Sequence, residues 1–129
     1  MAMILGIDVG TSGIKAMLLD TEKGVTAVHA KSYEVDIPRL GYAQQDPQMW
    51  WNSLLEVLDW LHIHFRDEYE RVLAVGYSGQ MHGLVLAGEN GEPLCPAIIW
   101  LDQRAEKQME EIYSTYTEAE MGRLLCNRV

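Results

Sequence analysis

Residues 6–15 read Gly6-Ile7-Asp8-Val9-Gly10-Thr11-Ser12-Gly13-Ile14-Lys15 and join two short aliphatic runs, at 3–7 and 14–19. Such runs are typical of buried β-strands. The glycines and hydroxyl side chains between them predict a tight turn whose backbone can approach a ligand closely. Backbone N–H groups in a Gly-rich turn can hold an anion. The stretch therefore predicts either a phosphate-binding turn or an ordinary hairpin with a surface Asp and Lys.

Under the phosphate interpretation, the polar groups of this turn have separate roles. The hydroxyls of Thr11 and Ser12 add donors for phosphate oxygens. Asp8 ends the first run, where its carboxylate would hold a magnesium ion or a water beside the phosphates. Lys15 is suited either to neutralise phosphate charge or to lie solvated at the edge of its strand.

Length and charge restrict the class of protein. The chain has 129 residues, enough for one domain with a core. Its 19 acidic and 10 basic residues give a formal net charge of −9, which argues against binding to nucleic acid or to anionic membranes. No apolar run approaches the roughly 20 residues of a membrane span, and no basic leader precedes the first strand. Two isolated cysteines, Cys95 and Cys126, predict reduced thiols and a cytoplasmic protein.

The first half of the chain predicts an antiparallel meander followed by a helix. Residues 3–7, 14–20 and 25–35 are extended segments, with a polar turn at 21–24. Asp46 and Pro47 are typical of a helix start, because Asp caps free N–H groups and proline suits the first helical position. Apolar side chains then recur at helical spacing and predict one face on the sheet: Trp51, Leu54, Leu55, Leu58, Leu61 and Phe65, widened by Trp50 and Trp60. We interpret this stripe as packing rather than ligand binding.

The second half predicts a crossover to a parallel strand and then further sheet and helix. Residues 72–77 are expected to lie parallel to the first strand, because a helix links the two. Residues 84–87 predict a fifth strand, 89–92 an Asn-Gly hairpin turn, and 93–100 another extended segment. A second helix is expected at about 103–116, and the last stretch, 117–129, is expected to begin as a helix.

Polar side chains follow two of these strands. Residues 79–83 read Gly-Gln-Met-His-Gly, and ligands of open α/β sheets bind beyond the carboxyl ends of strands. Gln80 and His82 can donate to and accept from the hydroxyls of a sugar or polyol, although a single histidine is more often structural than a ligand. Asp102 would either accept sugar hydroxyls or cap the helix after it. Spacings typical of zinc, serine-hydrolase and Walker-type sites do not occur in the sequence.

Four segments together resemble the N-terminal region of the FGGY carbohydrate kinases, and their xylulokinase branch in particular: residues 4–15, 44–51, 76–83 and 96–104. The first is shared with actin and Hsp70 proteins, whereas the Gln-Met-His-Gly motif at 80–83 is narrower. The resemblance implies an α/β fold of two ribonuclease-H-like domains. Residues 1–129 would be most of the first of these, an incomplete domain with a five-stranded mixed sheet and helices.

The resemblance also implies a reaction and a set of roles. A phosphoryl group would pass from ATP to the terminal hydroxyl of a ketopentose, D-xylulose, giving D-xylulose 5-phosphate. Asp8 would lie near Mg²⁺, and Gly13 stands where some relatives have serine, so that one phosphate donor is missing. The residues that would face the ATP phosphates are Gly10, Thr11, Ser12, Gly13 and Lys15. The residues that would lie at the sugar are Gln80, Met81, His82 and Asp102.

Family members are several hundred residues long, and nothing in residues 1–129 matches their catalytic-base aspartate or their adenosine-binding second domain. We therefore expect an N-terminal fragment without turnover of its own. Such a fragment would expose apolar surface and self-associate, as a homodimer or by exchange of segments. The alternatives are another FGGY kinase acting on ribulose, gluconate or glycerol, and a truncated module that binds a nucleotide or a partner protein without catalysis. A purely structural domain is disfavoured, because polar residues cluster at strand ends.

Overall fold

The computed structural model describes residues 2–126 of the chain. Its strands are β1 (Met3–Val9), β2 (Gly13–Asp20), β3 (Gly24–Ser32), β4 (Gln44–Gln45), β5 (Val72–Gly79) and β6 (Ala97–Ile98). The main sheet has the order β3-β2-β1-β5, with β1–β2 and β2–β3 antiparallel and β5 parallel to β1. β4 and β6 form a separate antiparallel pair. The predicted meander and the parallel crossover strand are both confirmed.

Four helices accompany the sheets: α1 (Pro47–His64), α2 (Arg66–Tyr69), α3 (Glu106–Thr115) and α4 (Glu118–Leu125). α1 begins as predicted, with Pro47 in its first turn and the Asp46 carboxylate accepting the Gln48 N–H at 2.9 Å. None of the helices in residues 2–126 has both the length and the hydropathy needed to cross a lipid bilayer.

The core lies between α1 and one face of the sheet. Alternate residues of β1 and β2 point to that face, as the two-residue period of a strand requires. Buried side chains from three strands and the helix form it: Met3, Leu5, Ile14, Ala16, Leu18, Ala27, Val57 and Leu61. Trp60 extends the contact to β3, because its ring stacks on that of His29 with centroids 4.1 Å apart. The α1 sequence therefore fixes which side of the meander is covered.

The predicted face of α1 is confirmed for Leu61, which is buried, and for Leu54, Leu58, Trp60 and Phe65, which pack against the core. Ser53, Val57 and Leu61 are its buried residues, whereas Trp51 and Leu55 are 56% and 42% exposed. The prediction was wrong for these two side chains. Each lies two residues from the buried Ser53, about 200° around a helix of 3.6 residues per turn, and so points away from the sheet.

The main sheet has four strands rather than the predicted five. Residues 84–87 do not join it but form isolated bridges, Leu84 to Ile98 and Ala87 to Pro93. The predicted turn between these segments does form, with Gly91 at a φ of 82°, a conformation that glycine adopts without strain. β3 also ends at Ser32, short of the predicted Val35.

The second half of the chain departs from the prediction at one helix start. α3 begins at Glu106, and Asp102 does not cap it. The Asp102 carboxylate instead accepts hydrogen bonds from other groups, described below. α4 begins with a complete capping box between Thr117 and Glu120, which confirms the helical start predicted for the last stretch. Residues 127–129 lie outside the described part.

Candidate functional site

Hydrogen bonds from both ends close the turn between β1 and β2. The Gly10 N–H donates to the Gly13 carbonyl at 3.0 Å. Tyr33, the residue after β3, also holds the turn: its hydroxyl donates to the Gly10 carbonyl at 2.6 Å and its backbone N–H donates to the Ser12 carbonyl at 3.1 Å. Burial, and then the negative charge of Asp8, raise the pKa of the Tyr33 phenol. The turn is therefore held by a residue 23 positions from Gly10 in the sequence.

A depression of about 230 Å³ lies on one side of the turn, and we call it the turn-side depression. Asp8 and Lys15 face each other across the β1–β2 ladder, so that opposite charges share one face of the sheet. The Ser78 hydroxyl donates to Asp8 Oδ1 at 2.7 Å from the parallel neighbour β5. The lining brings together five predicted residues with four from β2 and β3: Asp8, Gly10, Ser12, Gly13 and Lys15, with Ile14, Ala30, Lys31 and Ser32.

The groups around Asp8 fit a magnesium ion of the kind that accompanies phosphates. Mg²⁺ is usually held by one or two carboxylates together with waters and substrate phosphate oxygens. Asp8 is exposed and supplies one carboxylate. A Cβ placed on Gly10 would lie 3.1 Å from the Gly13 carbonyl oxygen and 3.9 Å from Asp8 Oδ2. The absence of a side chain at Gly10 therefore leaves the Asp8 carboxylate open on this side. Within residues 2–126, no cluster of three or more His, Cys, Asp or Glu side chains is placed to hold a metal.

A second cavity of about 410 Å³ lies at the carboxyl end of β5, and we call it the strand-end cavity. Gln80 and His82 both line it, as do the rings of Trp50 and Tyr77. His82 has a φ of 60°, in the left-handed region that non-glycine residues enter only where the surroundings enforce it. Met81 is 72% exposed and is not among the lining residues. The structure therefore brings two of the three predicted sugar residues of this loop together.

Thr11 points away from the turn-side depression and into a polar network. Its hydroxyl donates to Gln80 Oε1 at 3.2 Å and accepts the indole N–H of Trp100 at 2.9 Å. The Gln80 amide nitrogen donates to Gln45 Oε1 at 3.0 Å, and Trp50 donates to the same oxygen at 3.1 Å. Gln45 completes the network by donating to the backbone carbonyls of Thr11 and Glu34, at 2.8 and 3.1 Å.

Asp102 lies outside the lining of both cavities and joins two loops. Its side chain is 3% exposed. The carboxylate accepts the Ala43 N–H at 2.6 Å and the Arg104 N–H at 2.8 Å, and pairs with the Arg104 guanidinium at 2.7 Å. The hydrogen bond from Arg104 outweighs the effect of burial and, with the backbone donors, lowers the pKa of Asp102 to about 2.

Four residues of the site received no role from sequence reasoning. Ser78 and Tyr33 hold Asp8 and the turn, and Gln45 and Trp100 belong to the polar network. Gln45, Ser78 and Trp100 fall within the segments that carry the family resemblance, so the resemblance was the available signal. Tyr33 had none beyond its place in an extended segment.

The mixed sheet with β5 parallel to β1, the crossover helix α1 and the Gly-rich turn after β1 is typical of an α/β domain of the ribonuclease-H class. The model of the FGGY family of carbohydrate kinases, N-terminal domain, matches residues 3–124. The chain therefore belongs to the FGGY family of carbohydrate kinases. This confirms the predicted family and fold class.

Similar proteins include several xylulose kinases. The chain is 38% identical over 112 residues to a xylulose kinase of Lactococcus lactis, which covers 87% of this chain and 22% of that protein. It superposes with a TM-score of 0.87 on a xylulose kinase from Rhodospirillum rubrum, at 25% identity, covering 93% of this chain and 25% of the other. A ligand-bound xylulose kinase from Lactobacillus acidophilus superposes with a TM-score of 0.84 at 26% identity, and the match covers 95% of this chain and 24% of the other. The chain thus spans about a quarter of the length of these proteins.

Proposed function

We propose that this chain is the N-terminal part of an ATP-dependent kinase that phosphorylates a ketopentose, D-xylulose, to D-xylulose 5-phosphate. The observation that carries the proposal is the pairing of two sites across β1 and β5: the turn-side depression with Asp8 and Lys15, and the strand-end cavity with Gln80 and His82. The similarity to xylulose kinases over 87% of the chain supports the choice of sugar.

The roles of the residues follow from their chemistry. The backbone of residues 10–13 and the Ser12 hydroxyl receive the phosphates of ATP, and Lys15 offsets their charge. When bound, Mg²⁺ would neutralise charge on the transferring phosphoryl group, and Asp8 would hold it. Gln80 and His82 bind the sugar hydroxyls, Met81 lies beside them at the mouth of the site as the resemblance implies, and Asp102 orders the neighbouring loop. A base from outside residues 1–129 takes the hydroxyl proton, so the isolated chain has no turnover.

A binding measurement on the chain tests the nucleotide part of the proposal. Mg·ATP is titrated into the ¹⁵N-labelled chain and amide resonances of residues 8–15 are followed. We expect them to move in a Mg²⁺-dependent manner, and Asp8→Asn to remove the Mg²⁺ dependence because it removes the carboxylate charge. Glu22→Gln, in the distant β2–β3 turn, is the control. Resonances of the turn that do not respond to Mg·ATP would contradict the proposal.

The sugar and the catalytic step are tested in the complete reading frame that contains this chain. ADP release is measured with D-xylulose, L-ribulose, gluconate and glycerol in parallel. We expect a strong preference for D-xylulose, and no sugar-dependent release from residues 1–129 alone. A preference for another of these substrates would favour the alternative FGGY kinase, and no release with any of them would favour a binding module without catalysis.

A further inference from the structure

The centre of the polar network is Gln45, whose side chain belongs to neither cavity and has every hydrogen-bonding position occupied. It is 1% exposed. Its amide nitrogen donates both hydrogens, to the carbonyls of Thr11 and Glu34, and its oxygen accepts from Trp50 and Gln80. An amide side chain can make four such bonds. Gln45 is thus saturated by groups that belong to four separate segments of the chain.

The chemistry of the partners leaves one orientation for each group. An indole N–H only donates, so Gln45 Oε1 must face Trp50, and a backbone carbonyl only accepts, so the amide nitrogen must face Thr11. The single hydroxyl proton of Thr11 goes to Gln80, because the Trp100 N–H already approaches the Thr11 oxygen. At its centre Gln45 is buried and fully satisfied, and hydrogen bonds of this kind rigidify the groups that they join.

The network connects the two cavities of the site. Thr11 is a residue of the turn beside the turn-side depression, and its neighbours Gly10 and Ser12 line that depression. Gln80 and Trp50 line the strand-end cavity. Gln45 bonds to the turn through the Thr11 carbonyl and to the cavity wall through Gln80 and Trp50. The Thr11 hydroxyl also bonds directly to Gln80, whereas the connection from the turn to Trp50 runs through the Gln45 side chain.

We propose that Gln45 is a positioning residue that couples the nucleotide side of the site to the sugar side, acting through Thr11, Gln80 and Trp50. The identity of the two ligands rests on the proposed function, whereas the positioning role rests on the network alone. It follows that the Thr11 hydroxyl, which donates to Gln80, holds the turn to the cavity wall instead of donating to a phosphate.

The test follows the indole N–H resonances of the ¹⁵N-labelled chain, assigned by single Trp→Phe variants. Gln45→Met keeps the length of the side chain and removes its hydrogen bonds. Gln44→Met is the matched control, because the neighbouring amide bonds to Asp36 and Arg104 instead of the network. Without any ligand, Gln45→Met is expected to move the resonances of Trp50, its direct partner, and of Trp100, two side chains further along. Trp60, stacked on His29, serves as the internal reference.

Ligands then separate positioning from a merely structural role. In the wild-type chain, Mg·ATP is expected to move the resonances of both Trp100 and Trp50. In Gln45→Met it should move Trp100 alone, because the connection from the turn to Trp50 is cut. A Trp100 shift in Gln45→Met no larger than in Gln44→Met would overturn the proposal, as would a response of Trp50 to Mg·ATP that the variant leaves intact.

The two proposals fail in different ways. If Mg·ATP moves no wild-type resonance while Gln45→Met still moves Trp100 without ligand, the proposed nucleotide binding is wrong and the positioning role stands. If Gln45→Met does not fold, Gln80→Met replaces it, since it removes the path from Gln45 through Gln80 to the Thr11 hydroxyl and keeps the other three bonds of Gln45. Gln80→Met is then expected to move Trp100, and an unchanged Trp100 resonance would overturn the positioning role.

Discussion

At Gly13 the chain has no room for a side chain. A Cβ at this position would lie 2.6 Å from the Lys31 carbonyl oxygen and 3.0 Å from the Ser32 Cα, both of them backbone atoms of the paired strand β3. The serine that some family members carry here would therefore force β2 and β3 apart. We predict that Gly13→Ser destabilises the fold by about 1–3 kcal/mol, the usual cost of overpacking.

Urea denaturation measures this cost, with Gly76→Ala as the control. A Cβ at Gly76 would meet no heavy atom within 4 Å, so that variant is expected to unfold close to the wild-type midpoint. Equal midpoints for Gly13→Ser and the wild type would show that β3 can move to accept the side chain.

Asp102 makes the free energy of unfolding depend on pH in the acidic range. Its pKa of about 2 lies below the ordinary value of 3.8, chiefly because Arg104 donates to it. A lowered pKa stabilises the fold fully above pH 3.8, and this stabilisation is lost as the pH falls toward 2. The shift corresponds to on the order of 2 kcal/mol. We predict that Asp102→Asn lowers the free energy of unfolding by about this amount near pH 6.

The same pair of proteins is then compared at lower pH. The difference between the wild type and Asp102→Asn should shrink as the pH falls from 4 to about 2, where the wild-type carboxylate becomes protonated. Glu110→Gln, an exposed carboxylate on α3, controls for the loss of one negative charge. A difference that stays constant over this range would show that the Arg104 pair does not stabilise the fold.

At the scale of elements, the orientation of α1 decides which of its leucines matter. Leu61 is 0% exposed in the core, whereas Leu55 is 42% exposed on the opposite side. We predict that Leu61→Ala destabilises by about 2–5 kcal/mol, through lost burial and the cavity left behind. Leu55→Ala makes the same chemical change at the surface and should cost less than about 0.5 kcal/mol. Thermal unfolding of the two variants checks this, and similar costs would contradict the observed face.

At the scale of the whole molecule, β5 is an edge of the main sheet within residues 2–126. Its Leu73, Val75 and Tyr77 point to one side and are 78%, 57% and 86% exposed. Its sequence contains no charged residue and no proline, the features that usually prevent edge strands from pairing with other chains. We predict that the 129-residue chain self-associates through β5 of two copies.

Light scattering over a range of concentrations tests this prediction. Val75→Lys should shift the chain toward the monomer, because a charge on an edge strand opposes pairing. Val28→Lys is the matched control on β3, the opposite edge, where Lys31 already pairs with Glu56. A wild-type chain that stays monomeric at high concentration would contradict the prediction, as would equal effects of the two variants.

The sequence by itself determined the features that depend on neighbouring residues. Periods of two and 3.6, the glycines of the first turn, the Asp46-Pro47 start of α1 and the Asn90-Gly91 turn are local signals, and each produced the predicted element. The family resemblance added the fold class, because its motifs are spread over the whole domain and occur together in proteins of one fold. Local signals did not determine the number of strands in the main sheet, since residues 84–87 form bridges to Pro93 and Ile98 instead of joining β5.

Only the tertiary structure decided which partners the polar side chains have. Asp102 reads as a helix cap from its own neighbours, but its carboxylate binds the backbone of Ala43, 59 positions away. Thr11 reads as a phosphate donor, but its hydroxyl meets Gln80, 69 positions away. Side chains within one turn are always near each other, whereas contacts at such separations exist only once the sheet has formed. The local sequence therefore determined the elements and the turn, and packing decided which of their polar groups face a ligand.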